Sequence, residues 1–288
     1  MDYEESTPAW RDDLPQVDLD PGALTRVRFG LADRVAVVTL DRPEQRNAID
    51  GRSLVELTRV LHHCDRSDDV GAVVLTGAGT VFCAGSELAD DGFGGEPATD
   101  RDEVPWLSPW QVRKPVLAAL NGHAVGAGLT LAMQCDVRYV AEQAILSFPF
   151  VRLGVVGEWM GHWTAVRHLG VGRAAELFFT GRRFSGADAE AWGLAGRALP
   201  AEQVLDETVA LAREIVAHAS PVSLAVTKRL LWEATTADAS RAGHDERLLL
   251  EALLAGPDPR EGVAAYLAKR SPSWAGRATT DLPPWPAP

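Results

Sequence analysis

Phe82-Cys83-Ala84-Gly85-Ser86-Glu87-Leu88 and, further along, Asn121-Gly122-His123-Ala124-Val125-Gly126-Ala127-Gly128 are the two stretches that decide the fold. Each is a run of small residues after an apolar, strand-like segment, Gly71 to Thr76 or Pro115 to Leu120, and each is expected to lead into a helix. Backbone N–H groups at a helix start have no partner within the helix and point outward. Two of them aimed at one oxygen make an oxyanion hole, which stabilises negative charge as it develops on a carbonyl. A loop in which Gly relieves crowding accounts for either turn alone.

With their flanking residues the two turns resemble the enoyl-CoA hydratase/isomerase (crotonase) family, in which two peptide N–H groups hold a thioester carbonyl as its enolate forms. Arg42-Pro43 with Asn47-Ala48-Ile49 is similar to the family's first strand-to-helix turn. Pro149-Phe150, Leu153-Gly154 and Glu158 follow in the family's order, as do Thr180-Gly181-Arg182 and Ala191-Trp192-Gly193-Leu194. The resemblance covers about residues 24 to 274. It implies an α/β fold, a crotonase-like spiral of repeated strand-turn-helix units with a C-terminal all-helical oligomerisation region. It also implies the N–H groups of Ser86 and Ala127 as oxyanion donors. Coenzyme A would enter as part of the substrate, with no separate cofactor, and Arg46, Ala84, Lys269 and Arg270 would bind it. Lys269-Arg270, after Tyr266, match a basic stretch that in relatives contacts the CoA phosphates, often from the adjacent subunit.

The reaction depends on which acid or base faces the hole. Hydratases of the family use two glutamates, which by position fall at Thr130 and Phe150. Phe does not ionise, and a Thr hydroxyl is far too weak an acid near neutral pH. Glu158 occupies the place of the single catalytic glutamate in one branch of the Δ3,Δ2-enoyl-CoA isomerases, so the resemblance favours isomerisation. An acid in a helix's first turn is also favoured by the helix dipole without any function. Val155, Val156 and Trp159 suggest a dry pocket, where burial raises a carboxyl's pKa toward a value useful for returning a proton. Trp159, Met160, His162 and Trp163 stand where that branch has small residues, so the acyl group is expected to be short, cyclic or differently placed.

Two histidines keep alternatives open. His162, four residues after Glu158, would touch it on a helix, and a Glu/His pair suits water activation, as in family members that hydrolyse carbon–carbon bonds. His123, inside the second turn, is a further candidate acid or base, although a lone turn histidine is more often a hydrogen-bonded loop residue. Hydratase-like or C–C bond hydrolase/lyase chemistry is thus one alternative. A catalytically silent CoA-binding member, consistent with the missing glutamates, is another. Ser86 lacks the flanking glycines of a nucleophile elbow, so its N–H is the expected contribution.

Composition sets limits. In 288 residues, 46% hydrophobic ones supply ample core for one large domain, or for one domain with an appendage. Lys and Arg number 28 against 40 Asp and Glu, a net charge of −12, which argues against a sequence-independent grip on nucleic-acid phosphates. Cys64, Cys83 and Cys135 form no disulfide framework, and a cytoplasmic location is expected. No apolar run approaches about 18 residues, so no membrane partner is expected. His62-His63-Cys64-Asp65 invites a metal reading, but adjacent helical residues point about 100° apart and cannot close on one ion. Gly77-Ala78-Gly79 fails as a dinucleotide fingerprint because Phe82 stands at the third glycine.

Residues 1–23, acidic with three prolines, read as a mobile arm, and residues 24–200 as the α/β core. Asp50 is a plausible cap for a helix bearing Leu54, Leu57, Val60 and Leu61 on one face, and helices are expected near 158–169 and over 173–179. The acidic, Gly-rich run from Asp90 to Glu103 suits a flap, anchored by Trp106 and Trp110. Residues 201–274 carry helical spacing throughout, with more apolar side chains than a small bundle buries alone, and are expected to build a homotrimer or hexamer. Residues 275–288 form a Pro-rich tail.

Overall fold

The computed structural model describes residues 17–89, 92–93 and 104–286. Most of the expected N-terminal arm, and nearly all of the flap, lie outside the described residues. In chain order the strands are β1 (Val27–Ala32), β2 (Val35–Leu40), β3 (Ala72–Gly77), β4 (Val81–Cys83), β5 (Leu88–Ala89), β6 (Gly92–Phe93), β7 (Val116–Leu120), β8 (His123–Val125), β9 (Val137–Ala141), β10 (Ile145–Ser147), β11 (Phe184–Ser185) and β12 (Arg197–Leu199). The helices are α1 (Gly51–Arg66), α2 (Ala127–Met133), α3 (Gly161–Thr180), α4 (Gly186–Ala191), α5 (Ala201–His218), α6 (Pro221–Glu233), α7 (Ala239–Leu254) and α8 (Asp258–Ala268).

A six-stranded sheet runs in the order β1-β2-β3-β7-β9-β12. Its β1–β2 hairpin is antiparallel and the remaining neighbours are parallel. Every residue of β3 and β7 is buried, as expected of central strands covered on both faces. A second sheet, β11-β10-β8-β4, takes the short strand that follows each of β3 and β7. The chain therefore steps from the first sheet to the second three times, β3 to β4, β7 to β8 and β9 to β10, and β4, β8 and β10 pair in parallel. That repetition brings the two small-residue turns to the same edge.

Local signals behave as their chemistry requires. Asp50 Oδ1 accepts the Ser53 N–H at 2.7 Å and starts α1. Near its end, buried Asp65 accepts the Arg113 backbone N–H at 2.7 Å and Nη1 at 2.8 Å, tying α1 to the strand entering the second turn. The two helices expected near 158–169 and 173–179 are one element, α3, which starts at Gly161 and is interrupted at Gly170 (φ 71°, ψ 160°). Helix α5 packs across β3, β7 and β9, while α6, α7 and α8 continue beyond it. Leu250, Leu254, Val263, Tyr266 and Leu267 on α7 and α8 are all more than half exposed. The tail folds back rather than trailing away: Thr279 donates to Asp68 at 2.6 Å and Trp285 Nε1 to Glu233 at 3.0 Å.

Candidate active site

The two turns touch, and glycine lets them. Gly85 has φ +104°, and a Cβ there would stand 2.9 Å from the Val125 carbonyl oxygen and 3.6 Å from the Ala127 nitrogen. A Cβ on Gly128 would meet the Cys83 carbonyl oxygen at 2.5 Å, so both contacts are backbone on backbone. The segment carrying Ser86 is held by an isolated parallel bridge to Ile49. Ile49 N–H donates to the Gly85 carbonyl at 2.8 Å, and Glu87 N–H donates to the Ile49 carbonyl at 3.0 Å. That bridge uses the amides on either side of Ser86 and leaves its own N–H outside the ladder. Among the described residues neither the Ser86 N–H nor the Ala127 N–H has an acceptor.

The two donors differ in origin. Ala127 opens α2, as expected, so its N–H is a helix-start donor. The first turn leads instead into β5, and the Ser86 N–H is a bridge-edge donor, not a helix start. The thiol of Cys83, which precedes this turn, is fully buried. Burial pushes it up to about 12, although the Gly85 N–H acts the other way, so it stays protonated at neutral pH.

Glu158 comes to this place from far along the chain. Its Oε1 accepts a hydrogen bond from Ser86 Oγ at 3.2 Å. It is not in a helix's first turn: it lies in the loop before α3, followed by Trp159 (φ 51°) and Met160 (φ 58°), two successive left-handed residues that are not glycine. This reversal turns Trp159 inward, 8% exposed, and leaves Glu158 exposed. Among the described residues, the dry pocket expected around the carboxylate does not form, and Val156 is 79% exposed as well.

The histidines separate from it. His162 sits one residue into α3, so the helical i, i+4 relation to Glu158 does not exist. Its ring packs on Phe178 with centroids 4.5 Å apart, and no hydrogen bond joins it to Glu158. His123 Nδ1 accepts the Ile145 N–H at 2.9 Å, a structural bond between β8 and β10. Thr130 is fully buried and donates to the Ala127 carbonyl at 3.2 Å. The Phe150 ring lies beside Gly126 and Gly157, so an apolar wall replaces an acid next to the turn.

The coenzyme-binding candidates are spread out. Ala84 N–H donates to the Arg46 carbonyl at 3.0 Å, which fixes left-handed Arg46 (φ 55°) beside the first turn with its side chain exposed. Lys269, also left-handed, ends α8 and is exposed. Arg270 is committed to Glu261 in a two-pronged pair at 2.6 and 2.8 Å. No hydrogen bond or ion pair joins Lys269 or Arg270 to the turns within one chain.

Around Trp159 stand Gln134, which sequence reasoning missed, and Trp106, expected as a flap anchor and not as a partner of Trp159. Gln134, which ends α2, donates to the Trp159 carbonyl at 2.8 Å, and Trp106 stacks on its indole at 5.5 Å between centroids. Neither carries a local signal, because the contact joins segments 25 and 53 residues apart.

Comparisons with known proteins establish the family and the fold. The family model described as enoyl-CoA hydratase/isomerase matches residues 31–277. A probable enoyl-CoA hydratase, echA8, of Mycobacterium bovis is 34% identical over 251 residues, covering 85% of this chain and 95% of that protein. The 2,3-dehydroadipyl-CoA hydratase of Escherichia coli is 31% identical over 246 residues, covering 85% and 96%. The solved structure of a probable enoyl-CoA hydratase/isomerase from Mycobacterium abscessus superposes with a TM-score of 0.80 at 36% identity, covering 88% of this chain and 99% of that one. With two adjoining small-residue turns and a family match over most of its length, the chain belongs to the enoyl-CoA hydratase/isomerase family and is a crotonase-fold acyl-CoA enzyme.

Proposed function

We propose that the enzyme moves a double bond in a 3-enoyl-CoA, with Glu158 as the acid/base among the described residues. The observation that carries this reading is the Ser86 Oγ–Glu158 Oε1 hydrogen bond, which sets one carboxylate beside an oxyanion donor while Thr130 and Phe150 offer no second one. The thioester oxygen accepts from the Ser86 and Ala127 N–H groups. Glu158 takes a proton from C2, the electron pair moves into the carbonyl as a dienolate, and the same carboxyl returns the proton to C4. The C3=C4 bond becomes C2=C3 and the carbonyl reforms. The two amides act where charge develops, so they stabilise the transition state more than the ground state.

The test is Glu158→Gln, nearly isosteric and unable to shuttle the proton. Conversion of 3-hexenoyl-CoA, and deuterium exchange at C2, should fall about 10²- to 10⁴-fold. Unchanged turnover and exchange would refute the mechanism. A second reading, hydration by Glu158 alone, is favoured by the exposure of its carboxylate, which lets water reach it, and by the hydratase names of the relatives. Product analysis with 2-hexenoyl-CoA separates the two, since hydration yields a 3-hydroxyacyl thioester. The exposed apolar faces of α7 and α8 support assembly into a trimer or hexamer, in which Lys269 would approach a neighbour's coenzyme.

A further inference from the structure

Besides bonds to α3, three contacts from distant parts of the chain involve the loop that delivers Glu158. The first is the carboxylate itself, on Ser86 Oγ. The second is the carbonyl of the next residue, Trp159, which accepts from Gln134 Nε2 at 2.8 Å in a buried setting. The third is the indole of Trp159, stacked nearly parallel, 10° between planes, on Trp106. Trp106 is fixed in turn by its Nε1, which donates to Ser108 Oγ at 2.8 Å.

Gln134 is placed to do more than fill space. It ends α2, the seven-residue helix whose first residue is Ala127, so one rigid element carries an oxyanion donor at one end and the grip on the Glu158 loop at the other. The same helix touches α3, since a Cβ on Gly161 would meet Thr130 Cγ2 at 2.6 Å. Trp159 and Met160 hold left-handed backbone that bulky residues rarely adopt, and such conformations persist only where their surroundings over-determine them. The surroundings here include Gln134 and Trp106 on Trp159, beside Thr164, whose N–H donates to the Met160 carbonyl at 2.9 Å. A loop free to relax would swing the Glu158 carboxylate, already exposed, away from the donor pair.

From this we infer that Gln134 and Trp106 are positioning residues: through the carbonyl and the indole of Trp159 they hold Glu158 at the Ser86–Ala127 donor pair. The inference rests on the single-glutamate reading above, and it assigns Trp106 to the active-site side of the segment that follows the acidic, Gly-rich run.

The experiment compares Gln134→Met, which keeps volume and removes the donor, with Trp106→Ala and Trp106→Phe, using 3-hexenoyl-CoA as substrate. Misplacing a catalytic group by about 1 Å costs on the order of 100-fold in rate, so kcat should fall roughly 10- to 100-fold in Gln134→Met and Trp106→Ala. The dissociation constant for a non-reactive thioester, butyryl-CoA, should stay within about twofold, because neither residue touches the amides of the hole. Trp106→Phe, which keeps a stacking face, should recover most of the loss. Wild-type kcat in both Gln134→Met and Trp106→Ala would overturn the assignment, as would a fall in kcat matched by an equal loss of butyryl-CoA affinity. If Gln134→Met does not fold, the Trp106 pair decides by the same criteria. Glu158→Gln run in parallel separates the two levels: its full activity refutes the single-glutamate reading, whereas its inactivity beside a fully active Gln134→Met refutes only the positioning role.

Discussion

Replacing Gly85 with alanine tests the proposed oxyanion hole without removing any donor. The backbone there has φ +104°, a conformation L side chains rarely adopt, and the new Cβ would sit 2.9 Å from the Val125 carbonyl oxygen. Ordinary contact lies between 3.4 and 4 Å, so one turn must retreat by at least half an ångström. The neighbour is backbone, anchored by the Gly126 N–H to Ser147 carbonyl bond at 3.0 Å, so no side-chain rotation relieves it. The displaced atoms adjoin the Ser86 nitrogen on one side and the Ala127 nitrogen on the other. Loss of one well-aimed oxyanion donor costs about 10²- to 10³-fold in kcat, or roughly 2.7–4 kcal/mol. Strain from a positive φ adds a stability cost of about 1 kcal/mol or more. Gly193→Ala is the control, since its φ is +80° but the nearest atom to a Cβ is 3.9 Å away. Steady-state kinetics with the best thioester substrate, alongside thermal unfolding, separates the two effects. Gly193→Ala should lose stability and keep kcat, and Gly85→Ala should lose both. A folded Gly85→Ala protein with wild-type kcat would refute the claim that these two amides form the hole.

Three further outcomes are expected. Burial acts to raise the pKa of the Glu56 carboxyl, but bonds from the Arg26 N–H at 2.7 Å, the Arg52 guanidinium and Thr25 outweigh it, and the net shift is downward from 4.5. A lowered folded-state pKa gives stability that is present above pH 4.5 and lost as pH falls through the folded value. Glu56→Gln should therefore cost about 2 to 3 kcal/mol at pH 7 in urea unfolding and progressively less toward pH 3, and a pH-independent cost would refute the assignment. Arg46→Ala combined with Lys269→Ala should weaken CoA binding about tenfold by calorimetry, allowing for solvent screening of exposed charges, and unchanged affinity would remove both from the coenzyme path. Leu254→Lys with Leu267→Lys should shift light scattering from a trimer or hexamer to a monomer at micromolar concentration; an unchanged mass would place the interface elsewhere.

What the sequence determined by itself is local and periodic. Buried β-branched runs specify the central strands, Asp50 specifies the start of α1, and helical spacing specifies the all-helical character of the region that holds α5 to α8. The two turns are also legible, because close backbone approach leaves only small residues there, and their order fixed the family. Their meeting was not legible. Gly85 against Val125, and Ser86 against Glu158, join segments 40 and 72 residues apart, and that proximity comes from repeated parallel steps of the chain between two sheets. The environment of Glu158 was beyond sequence reasoning for a related reason. Apolar neighbours suggest burial if the backbone is helical, but left-handed Trp159 and Met160 invert which side chain faces inward. Trp159, once turned inward, meets Gln134 and Trp106 from elsewhere in the chain, so the exposure of the carboxylate, the separation of His162 and the use of His123 as a strand-to-strand acceptor are decisions of the tertiary structure.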